Sequence, residues 1–166
     1  MSVVPPPHNV SIRRATRTDL PAIVSLVNEA FRVESFFLDG DRTNLPDVTQ
    51  RFDLGEYLLA ESPEGQLLGC VYFEKRNDRA YFGMLSVEPV LKGTGLGRLL
   101  IETVEDHARK HGCIGMDITV VNLRTELPPY YRRFGYEISG ELPPPEPMRA
   151  RSKVPCHLVK MSKSLA

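Results

Sequence analysis

The segment Lys92-Gly93-Thr94-Gly95-Leu96-Gly97 stands between a strand-like run, Leu85-Ser86-Val87-Glu88-Pro89, and an amphipathic helical pattern that continues from Arg98. Glycines let a backbone approach a ligand closely and take up positive φ. Ahead of a helix, their N–H groups join the unpaired donors of the first turn and make an anion site. The chemistry this implies is phosphate binding by main-chain amides. Two phosphate signatures fail on spacing. A Walker loop needs Lys and then Ser or Thr after its last glycine, and Gly97 is followed by Arg98-Leu99. A dinucleotide fingerprint starting at Gly93 and Gly95 requires glycine where Arg98 stands, and a parallel βαβ opening where this loop follows a meander. A plain tight turn and a different phosphate-bearing ligand remain open.

Other residue types invite chemistry and are weaker. His107 and His111 are one helical turn apart, a spacing that seats a metal. The sequence offers no evident third ligand, and histidines near a helix C-terminus are favoured by the dipole alone, so no metal is expected. His157 lies in the apolar run Pro155 to Val159 and reads as a strand-face residue. Arg149, Arg151 and Lys153 form a basic patch without interleaved aromatics, which argues against nucleic acid. The three cysteines, Cys70, Cys113 and Cys156, are odd in number and sit in apolar contexts, as buried thiols of a reducing cytoplasm do.

The elements that position these residues follow from periodicity. Ser11 to Arg14 reads as a first strand. Thr18 caps a helix whose apolar positions Leu20, Val24, Val27 and Phe31 repeat at helical spacing. Arg32 to Gln50 holds room for a second short helix, interrupted by Gly40 and Pro46. Tyr57–Ala60, Leu67–Glu74 and Ala80–Pro89 make an antiparallel meander. Leu96, Leu99, Leu100, Val104 and Ala108 line a strong helix ended by Gly112. A β-branched strand (Gly115–Val121), a short helix (Thr125–Arg133) and two more strands (Tyr136–Ser139, Pro155–Met161) complete the chain. Seven of the 14 prolines cluster at Pro5–Pro7 and Pro143–Pro147, the first in a disordered arm (1–9), the second in an extended loop. The expected fold is a single α/β (α+β) domain over 10–166, a mixed sheet with helices packed on it.

Composition bounds the partners. The 166 residues carry 21 basic and 21 acidic side chains, with 42% apolar residues, so neither a polyanion binder nor a polyacidic chain is indicated. The longest apolar run, Leu67 to Phe73, is far short of the ~20 residues a membrane span needs. Met1 to Val10 has neither the basic nor the apolar region of a signal peptide. No membrane partner and a cytoplasmic location are expected.

The glycine loop resembles the Q/R-x-x-G-x-G/A loop of the GCN5-related N-acetyltransferases (GNAT). A second segment supports the resemblance: Asn122-Leu123-Arg124, Glu126-Leu127, and Tyr130-Tyr131-Arg132-Arg133-Phe134-Gly135-Tyr136 resemble that family's N-x-R…[L/F]-Y-x-x-x-G-[F/Y] segment. The element order matches the family fold over about residues 10 to 163. Lys92 departs from the usual Gln or Arg, and Pro128-Pro129 lengthen the gap from Asn122 to Tyr131.

The resemblance implies an enzyme that moves the acetyl group of acetyl-CoA directly to a primary amine of a small molecule or peptide. It implies that the amides from Gly93 through Thr94, Gly95, Leu96 and Gly97 to Arg98 bind the pyrophosphate, with Lys92 and Arg98 adding charge. It further implies that Leu85, Ser86 and Val87 bond the pantetheine arm as a strand would, that Val87 N–H is the oxyanion donor, and that Asn122 contacts the coenzyme. Tyr131 corresponds to the general acid, in contact with both coenzyme and reacting centre. A thiol pKa is near 8.5 and a phenol near 10, so full donation to the leaving thiolate is uphill by ~2 kcal/mol and a hydrogen bond with partial transfer is expected. No glutamate stands in Ala80-Tyr81-Phe82-Gly83-Met84, where some members carry a base, which leaves Glu34, Glu74, ordered water or an already neutral amine. That gap keeps a second reading in view, a non-catalytic CoA-binding sensor or interaction module. Asn28 to Phe52 corresponds to the acceptor wall. Many members dimerise, so a homodimer is one expectation. The neutral total also conceals a polarity: residues 1–90 carry 9 basic and 13 acidic side chains, a balance of −4, and residues 91–166 carry 12 and 8, a balance of +4. The half that holds the glycine loop is the positive one.

Overall fold

The computed structural model describes residues 9–166. The arm expected over 1–9, with Pro5–Pro7, falls outside the described residues except for Asn9. Strand β1 (Ser11–Arg14) leads through a 3-10 turn (Arg17–Asp19) into α1 (Leu20–Ala30). The turn begins at Thr16 rather than Thr18, because the Asp19 carboxylate accepts the Thr16 N–H at 2.7 Å. A second 3-10 turn (Phe31–Phe36) and α2 (Leu45–Leu54) follow. Pro46 does not interrupt α2 but opens it: Asn44 Oδ1 caps the Asp47 N–H at 2.9 Å, and proline in a first turn gives up no intrahelical bond. The meander is β2 (Glu56–Glu61), β3 (Leu67–Arg76) and β4 (Arg79–Val87). Then come α3 (Leu96–Lys110), β5 (Gly115–Val121), α4 (Leu127–Arg132), β6 (Glu137–Leu142), α5 (Glu146–Arg151) and β7 (Leu158–Ser164). Helix α5 occupies part of the proline cluster expected to be extended, since Pro145 and Pro147 sit at its cap and first turn.

One seven-stranded sheet runs β1-β2-β3-β4-β5-β7-β6. Every neighbouring pair is antiparallel except β4 and β5. Helix α3 covers one face, burying Leu96, Leu100, Ile101 and Val104 against Leu58, Val71 and Phe82. Helices α1 and α2 cover the other, with Ile23, Val27 and Val48 on Tyr57, Leu59 and Tyr72. Among the described residues no helix is long and apolar enough to cross a membrane. Cys70 and Cys113 are buried free thiols, and burial pushes the Cys70 thiol up to about 12, so it stays protonated and unreactive.

Two local irregularities place the functional edge. Between the pairs Cys70↔Ser86 and Tyr72↔Gly83, β4 spends one residue more than β3, and Met84 takes φ +52°. This bulge inverts the alternation of β4. Ala80 and Phe82 point to the α3 face, Met84 to the α1 face, and Leu85 and Val87 again to the α3 side. Gly69 is the second device. A Cβ there would lie 2.9 Å from Leu100 Cδ1 and 3.0 Å from the Ser86 carbonyl, so the first turns of α3 sit down on bare backbone. Gly69→Ala is expected to lift α3 and cost about 1–3 kcal/mol. Urea unfolding at fixed pH checks this, and an unchanged midpoint contradicts it.

Candidate active site

Strands β4 and β5 pair only from Arg79↔Gly115 to Tyr81↔Asp117, although both continue, to Val87 and Val121. Beyond Tyr81 the two strands are not hydrogen-bonded to each other. On its other side β4 stays paired with β3, and the Glu88 N–H donates to the Leu68 carbonyl at 2.9 Å. Antiparallel alternation therefore turns the N–H and C=O of Val87, and of Leu85 two residues earlier, toward the fork. The Ser86 main chain faces β3, and its Oγ donates to the Met84 carbonyl at 3.0 Å, so Ser86 supports the bulge rather than the fork.

The glycine loop closes the wide end. Gly93 and Gly95 have φ of +80° and +92°, and space around a Cβ at either is open, so conformation and not crowding requires glycine. Leu99 N–H makes the first helical bond, to the Gly95 carbonyl at 3.0 Å. The N–H groups of Leu96, Gly97 and Arg98 are thus the orphan donors of α3. Those of Gly93 and Gly95 have no main-chain partner among the described residues. Thr94 differs: its N–H and Oγ1 both donate to the Leu91 carbonyl, at 3.2 and 2.6 Å, and its side chain is buried. It braces the loop. Leu96 contributes only its N–H, because its side chain is core. Gly97 packs on Tyr130, whose hydroxyl lies 3.0 Å from where a Cβ would be. Lys92 is exposed, and exposed Arg98 lies over the Phe134 ring at 5.3 Å and faces Glu102 at 3.9 Å.

Tyr131 stands at the apex of the fork. Its ring is 6.1 Å from that of Phe82, the first β4 residue past the last β4–β5 pair, and 6.1 Å from Tyr136. Tyr136 is anchored by donating to Glu105 Oε2 at 2.8 Å, and Glu105 is held by Lys163 at 3.0 Å. Tyr131 itself is 8% exposed, and its hydroxyl has no hydrogen-bond partner among the described residues. Burial pushes the phenol above its ordinary value. Asn122 is partly committed elsewhere. Its N–H donates to the His157 carbonyl at 2.9 Å, and its Oδ1 accepts the His157 N–H at 2.8 Å, leaving its NH2 unpaired among the described residues.

A third group gathers at Glu34, a carboxylate already weighed from the sequence, whose arginine partners the sequence did not disclose. Glu34, in the 3-10 turn after α1, is 3% exposed. Its Oε2 accepts from Arg124 Nη1 at 2.9 Å. Its Oε1 is 3.5 Å from Arg42 Nη1 and, among the described residues, is the single sealed side-chain polar atom with no hydrogen bond. Arg42 lies over the Phe31 ring at 5.0 Å. Glu34, Arg42, Asn28 and Ser35 line a cavity of about 50 Å3. Arg124 joins this cluster to the chain that carries Tyr131, since it lies between β5 and α4. Two residues of the basic patch, Lys153 and Arg151, secure this wall. Lys153 Nζ donates to the Ser35 carbonyl at 3.1 Å, and Arg151 reaches the Asp39 and Asp41 carbonyls. The other carboxylate weighed as a base, Glu74, accepts from Arg76 and Tyr72 at 2.9 and 2.8 Å. Burial works to raise its pKa, but those bonds outweigh it and hold Glu74 below the usual carboxylate range, a poor base. The structure also brings Glu56 of β2 to His107 and His111, supplying the third ligand type absent from local sequence.

Arg124→Met is expected to leave Glu34 buried beside Arg42 alone and to cost about 3–5 kcal/mol in urea unfolding. Asn122→Ala, which strands the His157 N–H, is expected to cost about 1–2 kcal/mol. A larger loss for Asn122→Ala than for Arg124→Met reverses the ranking given to these anchors.

The chain matches the model of the Acetyltransferase (GNAT) family over residues 20–136. It is 27% identical over 145 residues to the L-methionine sulfoximine/L-methionine sulfone acetyltransferase of Pseudomonas aeruginosa, covering 81% of this chain and 84% of that protein. Among solved structures it is similar to the ribosomal-protein-S18-alanine N-acetyltransferase of Escherichia coli, with TM-score 0.74 and 16% identity over 95% of this chain and 94% of that one. It is also similar to yncA of Salmonella typhimurium, solved with its cofactor acetyl-CoA, with TM-score 0.70 and 23% identity over 95% of each chain. At these identities the structural likeness speaks for the fold, while the family match covers most of the chain. With a forked sheet, an amide-lined loop at its wide end and a buried tyrosine at its apex, the chain belongs to the acetyltransferase (GNAT) family and is an acetyl-CoA-dependent N-acetyltransferase.

Proposed function

We propose that this protein acetylates the primary amine of a small zwitterionic acceptor, an amino acid or close derivative, by direct transfer from acetyl-CoA. The observation that carries the acceptor class is Glu34 beside Arg42: a buried carboxylate oxygen without a hydrogen bond, 3.5 Å from a guanidinium, on one small cavity. A zwitterion presents the complementary pair, an ammonium for Glu34 Oε1 and a carboxylate for Arg42. The relative named for L-methionine sulfoximine and L-methionine sulfone has acceptors of that class in its name.

In this reading the N–H groups of Gly93, Gly95, Leu96, Gly97 and Arg98 hold the coenzyme pyrophosphate, with Lys92 and Arg98 adding charge at the rim. Thr94 shapes the loop from beneath. The main chain of Leu85 and Val87 receives the pantetheine arm as an added strand, with Ser86 holding the bulge behind it. Asn122 offers its free NH2 from the β5 side. Val87 N–H faces the thioester carbonyl, and a donor aimed at a developing oxyanion contributes about 2.7–4 kcal/mol. Glu34 receives the proton shed by the ammonium, directly or through one water. The neutral amine attacks the carbonyl, the C–S bond breaks, and the second proton lost by the nitrogen ends on the departing sulfur, which the Tyr131 hydroxyl bonds as it leaves. Since burial raises the phenol, full transfer from Tyr131 is more uphill than ordinary values indicate, and a hydrogen bond with partial transfer is the consistent role.

Tyr131→Phe is expected to lower kcat about 10²-fold with acetyl-CoA affinity nearly unchanged, measured by thiol release and calorimetry. Undiminished turnover removes Tyr131 from the chemistry. A group whose pKa is raised keeps its proton until the pH passes the raised value, so Tyr131 adds no alkaline fall in kcat below about pH 10. A fall near pH 9 that vanishes in Tyr131→Phe contradicts this. The acceptor is tested by a thiol-release screen across free amino acids, their decarboxylated amines, dipeptides and polyamines. Amino acids are expected to exceed their decarboxylated partners at least tenfold, and Arg42→Gln is expected to erase the difference. Saturable acetyl-CoA binding without turnover on any acceptor favours a coenzyme-binding sensor instead.

A further inference from the structure

At the end of α3 remote from the glycine loop, the side chains of Glu56, His107 and His111 converge. One ligand atom from each lies within 4.8 Å of the others, the one such cluster among the described residues. At 1.5 Å per residue, His107 is about 16 Å along the helix from Leu96, so this cluster takes no part in holding the coenzyme phosphates. His107 Nε2 is 2.9 Å from Glu56 Oε2, and the two imidazole rings are 4.3 Å apart. His111 Nδ1 is 2.8 Å from the His107 carbonyl. A carbonyl only accepts, so Nδ1 of His111 is the donor, and in the neutral ring that leaves the Nε2 lone pair for a ligand. A ring N–H donated to a main-chain carbonyl is the usual outer support of a metal-bound histidine. The Phe73 ring backs the cluster, edge-on to His107 at 4.7 Å and 5.8 Å from His111. Side-chain exposure is 23% for His107 and 17% for Glu56, while His111 is open to solvent.

We propose that Glu56, His107 and His111 form a binding site for a divalent transition metal of the zinc type, which clips the end of α3 to the start of β2. Two imidazoles and one carboxylate suit Zn2+, Co2+, Ni2+ or Cu2+ rather than Mg2+ or Ca2+, and three protein ligands leave a fourth position for water. With bonds of about 2.0–2.1 Å, tetrahedral ligand atoms sit roughly 3.4 Å apart. The cluster reaches this by rotation of side chains, with the ion entering between His107 and Glu56 in place of their shared proton. The imidazole of His107 ligates in its neutral form. The groups facing it are Glu56, His111 and Arg14, whose Nη2 is 3.7 Å from Glu56 Oε1, the oxygen away from His107. Arg14 therefore neutralises part of the carboxylate without occupying the ligand position.

The test is titration of the full chain, freed of metal, with Co2+ and Zn2+, read by cobalt absorption and calorimetry. One equivalent per chain is expected, with tetrahedral cobalt bands displaced by Zn2+ and indifferent to excess Mg2+. His111→Ala lies on an exposed cap and keeps the fold; it is expected to weaken binding at least tenfold, as is Glu56→Gln. His8→Ala and His157→Ala are expected to change nothing. Zn2+ is expected to raise Tm for the parent chain and not for His111→Ala. Absence of stoichiometric binding overturns the proposal, and so does binding that survives His111→Ala and Glu56→Gln or follows His8 or His157.

Discussion

After Tyr81, β4 gives up hydrogen bonding on the side where β5 runs parallel to it, and a strand in the middle of a sheet is left with an open edge. Open main-chain donors inside a fold are costly unless something fills them. Here each neighbour of the fork is built around that gap. The Met84 bulge shifts the phase of β4 by one residue, so that Leu85 and Val87 pack with the α3 layer while their main chains face the fork. Gly69 lets α3 settle low on the sheet, and the loop glycines bring the amide end of that helix over the opening. Phe82, Tyr131 and Tyr136 fill the apex with rings about 6 Å apart, and the Glu105–Lys163 pair fixes Tyr136 from behind. An extended ligand with a polyanionic end fits the donors this arrangement leaves unused.

Charge is distributed along the same axis. In the proposed reading the phosphate end depends on main-chain dipoles, with the exposed Lys92 and Arg98 at its rim. The proposed acceptor end is ionic and drier, a carboxylate enclosed by two arginines, with one oxygen engaged and one spare. Buried charge of this kind contributes little to stability and is retained where it serves a ligand or fixes a unique arrangement. Because Arg124 belongs to the segment leading into α4, the Glu34 cluster and the tyrosine share one support.

How much of this was legible in sequence follows from the range of the interactions. The glycine loop, α3 and the β4 run were readable because strand, turn and helix signals there are local. The fork was not, since nothing in the residues after Tyr81 marks where a parallel partner departs. Met84 carries positive φ without the glycine that would have announced it. Pro46, Pro145 and Pro147 read as breakers, yet each sits at a helix start, where proline is tolerated. Asn122 sits in a recognisable motif, but its Oδ1 is used to hold His157, a partner thirty-five residues away. Glu34 meets Arg124 across ninety residues, and Glu56 meets His107 across fifty-one. Pairings of that span leave no periodicity to read.

The central claim is that the open edge of β4 and the amides of the glycine loop together form one coenzyme seat. Amide-resolved NMR of the full chain, titrated with acetyl-CoA, tests it most directly. The account predicts large shifts and slowed exchange at the N–H groups of Val87, Gly93, Gly95, Leu96, Gly97 and Arg98, with little change at Thr94 and Ser86, whose N–H groups are already bonded. Saturable binding that moves none of the loop amides, or that leaves Val87 untouched while shifting distant strands, contradicts it.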